Sequence, residues 1–362
     1  KSITISGSHG KTTTTSLISS ILEYADYDPT IINGGIINEI NANAKLGKGE
    51  WIVAEADESD GSFTMLPSTI GVINNIDLEH LDFYSNINEI RDSFIRYANN
   101  IPFYGFLAVN IDDQNVKKIK DMIDHKEVFT YGFSKNANFY AENLKVIQKK
   151  DTFFTCFDII SNLQHKKILK NVLIPLLGKH NVINTLAAYS ISKGLKVPDS
   201  KIKRALKQFQ GVKRRFSIIY QCSKSIIIDD YAHHPNEINM TLDALRSITK
   251  KKLIAIFEPH RYSRIINMKD QFIDSFKKAD EIFVLPIYSA GEKTGKNISH
   301  ISLTKLLKKK FKNKVVQPIG KPTILFQILK KRIVDGNNII FLGAGNSSKI
   351  AHNFTSFLKN DN

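Results

Sequence analysis

The chain has 362 residues, 42% of them hydrophobic and 24% charged, a globular composition that excludes a largely disordered polymer. Its formal charge of +16 keeps anionic partners in consideration, but no apolar run approaches the roughly 18–20 residues that span a bilayer, so no membrane insertion is expected. The only cysteines, Cys156 and Cys222, exclude a disulfide framework and a cysteine-based zinc site, and they suit a reducing, cytoplasmic setting.

In chain order, Ile3–Ser6 reads as a buried strand, Gly7–Lys11 as a glycine loop and Thr12–Tyr24 as a helix. Trp51–Ala54 and Ile70–Ile73 read as further buried strands, Ile87–Asn99 as a helix and Gly105–Asn110 as another strand. Phe139–Leu176 alternates β-rich pieces with polar turns, as antiparallel hairpins do, and is expected to form a small side sheet. Asn181–Ser192 is an alanine-containing helix ended by Gly194. A second strand–helix series begins near Gly211. Its strands are expected at Ser225–Ile228, Leu253–Phe257, Glu281–Leu285 and Asn338–Leu342, with helices at Glu237–Thr249 and Lys269–Ala279. The expectation is an α/β protein of two domains: residues 1–210, with a mostly parallel sheet and the small antiparallel side sheet, and residues 211–362, a second strand–helix domain.

Ligands of such sheets gather beyond the carboxyl ends of the strands, where this sequence places its polar clusters. In Gly7-Ser8-His9-Gly10-Lys11-Thr12-Thr13, loop amides would face phosphate oxygens, Lys11 would reach the terminal phosphates, and the Thr12 hydroxyl would hold Mg²⁺. Glu55–Asp60 sets four carboxylates in six residues, a run that suits a hard cation such as Mg²⁺ or else forms a solvated turn. His80 reads either as a metal ligand or as a solvated imidazole. Asn181 and Asn184 share a helix face and could read a purine or sugar edge, or cap the helix.

In the second half, Lys213-Arg214-Arg215 favours an anion. Asp229–Pro235 fits metal ions or a ribose, and Glu258–Arg264 offers two guanidiniums apt for a carboxylate. Tyr288–Glu292 and Gly343–Asn346 read as strand-end loops. The lysine excess is widely spread, with clusters at Lys250–Lys252, Lys308–Lys310 and Lys330–Arg332. Without an aromatic-studded basic motif these read as solvated faces, and no nucleic-acid partner is expected. No serine elbow, zinc helix or dinucleotide fingerprint is present.

The ordered set GSHGKTTTT, EADESD, NNIDLEH, GKHNVIN, KRRF, DDYAHHP, EPHRYSR, YSAGE and GAGN resembles the Mur ligases over essentially the whole chain, and EPHRYSR with YSAGE is similar to the alanine-adding branch. The resemblance implies an ATP-dependent carbon–nitrogen ligase of peptidoglycan precursor synthesis, with residues 1–210 a central P-loop-type ATPase domain and residues 211–362 a C-terminal Rossmann-like domain. ATP would phosphorylate the lactyl carboxylate of UDP-N-acetylmuramate, and the amine of L-alanine would attack the acyl phosphate. By resemblance, Lys11 contacts the β- and γ-phosphates, Thr12 and Glu55 hold one Mg²⁺, and Glu55 with His80 holds a second. Asn181 and Asn184 lie near adenine and substrate, Arg215 contacts phosphate, and Asp230 bonds the ATP ribose. His260, Arg261 and Arg264 hold the amino acid's carboxylate, and Tyr231 and His233 border its side chain. ATP is expected between the halves, with a hinge near Gly211. The family carries a further N-terminal UDP-binding domain, expected to be absent from this chain because only Lys1–Ser6 precede the first loop glycine. Still open are a murein peptide ligase or folylpolyglutamate-type ligase, a nucleic-acid-stimulated P-loop ATPase, and a non-catalytic nucleotide-binding module.

Overall fold

The computed structural model describes residues 1–80, 83–124, 127–150, 152–163, 166–293 and 298–360. It divides into two compact units, Lys1–Lys213 and Arg214–Asn362. Residues 211–213 stay with the first unit because the Asn38 amide donates to the Gly211 carbonyl (3.2 Å) and the Lys213 amide to that of Ile36 (2.9 Å). No helix among the described residues is long and apolar enough to cross a membrane.

The first unit runs β1 (Ser2–Ser6), α1 (Lys11–Tyr24), β2 (Thr30–Ile37), β3 (Ala42–Lys45), β4 (Ile52–Glu55), β5 (Ile70–Ile73), α2 (Ile87–Asn99), β6 (Phe106–Asn110), α3 (Gln114–Lys120), β7 (Val128–Gly132), β8 (Phe139–Lys149), β9 (Thr152–Ser161), β10 (Lys167–Ile174), α4 (Lys179–Gly194) and α5 (Asp199–Gln208). Its strands make one sheet in the order β10-β9-β8-β7-β6-β5-β1-β4-β2-β3. The stretch from β2 through β4, β1, β5, β6 and β7 is parallel, and its strands are apolar because helices cover both faces.

The antiparallel hairpins expected as a small side sheet are present as β8, β9 and β10, and they continue this same sheet at its edge. Phe139, Tyr140 and Ala141 are buried; Phe139 and Tyr140 pair with Tyr131 and Gly132 of β7, while the whole of β8 runs antiparallel to β9 on its other side. Asp151 and residues 164–165 of that stretch lie outside the described residues. The apolar pattern does not reveal β2, because Gly34-Gly35 inside it reads as a turn. A Cβ on Gly34 would lie 2.7 Å from the Glu55 carboxylate, so this glycine permits close approach of a side chain to a strand.

The second unit runs β11 (Ser217–Gln221), β12 (Ile226–Asp230), α6 (Pro235–Arg246), β13 (Leu253–Phe257), α7 (Tyr262–Asn267), α8 (Lys269–Ser275), β14 (Glu281–Val284), α9 (His300–Lys310), β15 (Val315–Pro318), α10 (Pro322–Val334), β16 (Asn338–Leu342) and α11 (Ser347–Asn360). The sheet order is β11-β12-β16-β13-β14-β15, parallel except for β11. Ile228, Phe257 and Phe272 fill one face, and Ile227, Phe341 and Phe354 fill the other.

The net positive charge belongs mainly to this unit. Residues 214–362 hold 26 lysines and arginines against 12 acidic residues, whereas residues 1–213 hold 25 against 23. Lys308–Lys310 and Lys331–Arg332 occupy the last turns of α9 and α10, where cations complement the helix dipole, and Lys250–Lys252 lead into β13. These clusters therefore sit at the amino ends of the parallel strands, opposite the carboxyl-end loops.

Candidate active site

In the first unit the glycine loop joins β1 to α1. Gly7 and Gly10 take left-handed φ values of 133° and 81°, and Gly10 caps α1 with no side-chain hydrogen bond and no acidic residue in the first turn. The loop is clamped by the segment after β5. The Ser8 amide donates to the Asn75 carbonyl (3.2 Å) and the His9 amide to Asn75 Oδ1 (2.7 Å), while the Asp77 amide donates to Ser8 Oγ (2.8 Å). The amides of Ser8 and His9 thus hold the loop's shape. Intrahelical bonding begins with Thr14 N to Gly10 O (2.9 Å), so the amides just ahead of it form the positive end of the helix.

Asn184 of α4 packs against Gly10, and a Cβ there would lie 2.5 Å from its Oδ1. Gly10→Ala combines that clash with about 1–2 kcal/mol of left-handed strain. The variant should lose at least about 1–2 kcal/mol of unfolding free energy, as measured by urea denaturation.

Three neighbouring strand ends then converge. Lys11 Nζ donates to Gly7 O (2.8 Å) and to Glu58 Oε2 (2.7 Å), with Asp57 at 3.9 Å. Burial alone would lower the Lys11 ammonium, but the Glu58 carboxylate, with Asp57 and Glu55, outweighs it and raises it. Glu58 is buried, which by itself would raise its carboxyl, yet Lys11 and His80 hold it below its usual range. His80 Nε2 lies 3.5 Å from Glu58 Oε1 and 3.7 Å from Glu79, on a backbone with φ of 55°. Burial disfavours its protonated form, but the Glu58 carboxylate prevails and raises it.

Ligand atoms of Asp57, Glu58 and His80 lie within 4.8 Å of one another. Thr12 Oγ1 donates to Glu55 Oε1 at 3.2 Å, and the other Glu55 oxygen accepts the Gly34 amide at 2.8 Å. The structure therefore brings Thr12 to Glu55, but it brings His80 to Glu58 and Asp57. Glu55 is the last residue of β4, and its place in the strand turns it toward β2. Asn181 and Asn184 bond each other at 3.3 Å at the start of α4, and Asn181 Nδ2 donates to Leu177 O.

The second unit gathers the remaining candidates at its carboxyl-end loops. Arg214, Phe216 and Arg261 all adopt positive φ. The Arg214 and Arg215 guanidiniums lie 4.9 and 5.0 Å from the Tyr231 ring centroid, and Arg214 Nη2 donates to Gly343 O at 2.7 Å. The Asp230 carboxylate accepts the amides of Phe216 (2.7 Å) and Ala232 (2.8 Å); burial pushes its pKa up to about 6 against the pull of Arg215. It thus fixes the Arg215 turn as well as offering spare lone pairs.

Tyr231, His233, His260 and Tyr288 form a row of rings with successive centroids 5.2, 5.4 and 5.5 Å apart. Arg264 Nη1 and His260 Nδ1 are buried without a hydrogen-bond partner. Burial, with Arg264 nearby, drives His233 and His260 down to about 4, so both imidazoles are neutral near pH 7. A depressed histidine contributes stability that is lost as pH falls from the unfolded value toward the folded one. The stability difference between wild type and His233→Gln should therefore shift toward the variant from about pH 6.5 down to 4, as measured by urea denaturation.

Two features were not resolvable in the sequence: the choice of Glu58 among four acidic neighbours, and the ring row, which joins Tyr231 and His233 to His260 and Tyr288 from two other segments of the chain.

The Mur ligase middle domain matches residues 5–192, and the Mur ligase, glutamate ligase domain matches residues 214–345. The chain is 42% identical over 361 residues to the UDP-N-acetylmuramate–L-alanine ligase of Persephonella marina, covering 99% of this chain and 75% of that one. It is 40% identical over 351 residues to the Pelagibacter ubique enzyme of the same name, covering 96% and 75%. In fold it is similar to the crystal structure of UDP-N-acetylmuramate-alanine ligase from Thermotoga maritima, with a TM-score of 0.82 at 24% identity over 100% of this chain and 76% of that one. It is also similar to a MurF ligase from Thermotoga maritima in complex with ADP, with a TM-score of 0.76 at 16% identity, covering 100% and 81%.

Proposed function

This chain belongs to the Mur ligase family, and on that premise we propose that it joins L-alanine to UDP-N-acetylmuramate, converting ATP to ADP and phosphate in peptidoglycan precursor synthesis. The observation that carries the choice of acceptor is the pair of buried, unpartnered polar atoms, Arg264 Nη1 and His260 Nδ1, beside the Tyr231–His233 rings. Buried polar atoms left unsatisfied cost folding free energy unless a ligand completes them. An amino acid carboxylate has the planar two-oxygen form that a guanidinium fork recognises.

A carboxylate oxygen is a poor leaving group, so direct amide formation fails. Transfer of the γ-phosphoryl group to the lactyl carboxylate makes an acyl phosphate. The neutral amine then forms the C–N bond, the nitrogen gives up a proton to solvent, and the tetrahedral intermediate collapses with cleavage of the C–O bond as phosphate departs. The chain's part is positioning and charge neutralisation. Lys11 and the amides at the start of α1 receive the β- and γ-phosphates. Asn181 and Asn184 border the nucleotide, Arg215 meets phosphate, and Asp230 bonds the ribose. His260, Arg261 and Arg264 hold the alanine carboxylate, and Tyr231 and His233 bound its methyl group.

The donors in the first unit are carboxylate oxygens, a hydroxyl and an imidazole, and one buried carboxylate oxygen, Glu58 Oε1, has no hydrogen-bond partner; this set fits a hard divalent cation. Thr12, Glu55 and His80 are the residues that would hold Mg²⁺, which would supply neutralisation of phosphate charge. Residues 1–213 are in this reading the ATP-binding domain and 214–362 the amino-acid domain. ATP as co-substrate and two free thiols suit the cytoplasm.

The test is phosphate release from ATP by the full-length protein with UDP-N-acetylmuramate, assayed across amino acids. Strict dependence on L-alanine supports the reading, and preference for glutamate or a tripeptide overturns it.

A further inference from the structure

Glu58 is assigned no step and no ligand of its own in the chemistry above, yet it is among the most enclosed carboxylates of the candidate segments, at 1% exposure. It lies three residues beyond β4, Lys11 begins the helix after β1, and His80 lies in the segment after β5; these three strands are neighbours in the sheet, in the order β5-β1-β4. Its main chain is pinned, since the Glu58 carbonyl accepts the buried Tyr84 hydroxyl at 2.7 Å and the Gly61 amide at 3.1 Å. One carboxylate oxygen takes the Lys11 ammonium at 2.7 Å; the other has no hydrogen-bond partner and faces His80 Nε2 at 3.5 Å.

We propose that Glu58 is a positioning residue, holding the Lys11 ammonium with one oxygen and setting the His80 imidazole with the other.

An ammonium has three donors. Gly7 O and Glu58 take two of them, which leaves one direction for a phosphate oxygen and removes the rotamer freedom of a long side chain. An imidazole facing a carboxylate has its ring orientation fixed in the same way. Misplacement of a transferring group by about 1 Å costs about 10²-fold in rate. Glu58 also competes with phosphate for the lysine, so its removal need not weaken nucleotide binding.

The inference rests on the ligase reading and is tested on the full-length protein with Glu58→Gln, which keeps shape without charge, and Glu58→Asp, which keeps charge but is too short to span both partners. Both variants should lose about 10²-fold in kcat, with KM for ATP within about threefold of wild type, the pattern of an interaction that acts in the transition state. The ¹⁵N signals of the His80 ring, recorded without nucleotide or metal, should shift in Glu58→Gln. Wild-type kcat in Glu58→Asp would reduce Glu58 to charge balance and overturn the proposal. So would a KM that rises in step with a lower Tm, or unmoved His80 signals. If wild type itself shows no L-alanine-dependent turnover, the ligase reading falls, while the His80 spectra still decide whether Glu58 sets the ring.

Discussion

Lys11→Ala should lower kcat by about 10²–10³-fold, the scale seen when a single preorganised group that stabilises developing charge is removed. A stability effect should accompany it. The Lys11 side chain is 12% exposed and that of Glu58 2%, at 2.7 Å, so removing the lysine leaves an anion buried without its partner. Breaking a buried pair from one side costs about 3–5 kcal/mol. The part of Glu58 that takes up a proton in response makes this an upper figure. The double variant Lys11→Met/Glu58→Gln removes both charges and should recover most of that stability while remaining inactive. Urea denaturation paired with single-turnover phosphate release separates the two effects. A Lys11→Ala protein as stable as wild type would mean that the pair is solvated and does not act as the geometry indicates.

Arg264→Met should raise KM for L-alanine by about 10–10²-fold, as expected for losing charged hydrogen bonds worth about 1.5–3 kcal/mol, with KM for ATP little changed. Its effect on stability has the opposite sign to that of Lys11→Ala. Arg264 Nη1 is buried without a partner in the free protein, so folding bears its desolvation with nothing in return until substrate arrives. Methionine fills similar space without that cost, and the unliganded variant should melt at or above the wild-type temperature. Arg264→Lys should rescue poorly, because a point charge does not reproduce the planar fork. Alanine-dependent kinetics and calorimetry of the same preparations check all three outcomes. A variant that loses both affinity and stability would show that Arg264 supports the loop instead of waiting for a ligand.

Particular elements show how far the sequence could be read. Ile3–Ser6 and Leu253–Phe257 are strands buried on both faces, and continuous apolar runs announce such strands. The loop Gly7–Thr13 was legible because glycine, lysine and threonine types carry its chemistry at fixed spacing. β2 was hidden by Gly34-Gly35, of which Gly34 meets Glu55, a residue 21 positions away, and Gly35 meets Thr12 and Val212. The helix expected over Lys269–Ala279 ends at Ser275, and a separate helix, α7, precedes it. The side hairpins were legible as hairpins, but their attachment to the main sheet depends on the pairing of Tyr131 with Phe139, which no local pattern states.

The sequence by itself determined which side chains this protein has for holding phosphate, cation and carboxylate, and that they stand at strand ends, because hydrophobic period and glycine placement act between neighbours along the chain. Only the tertiary structure decided which of four adjacent carboxylates meets Lys11, which one meets Thr12, and which polar atoms are left buried and waiting. Those choices depend on strand order and on pairs 43 and 47 residues apart, Thr12 with Glu55 and Lys11 with Glu58, whose energies arise only once the sheet has assembled and excluded water.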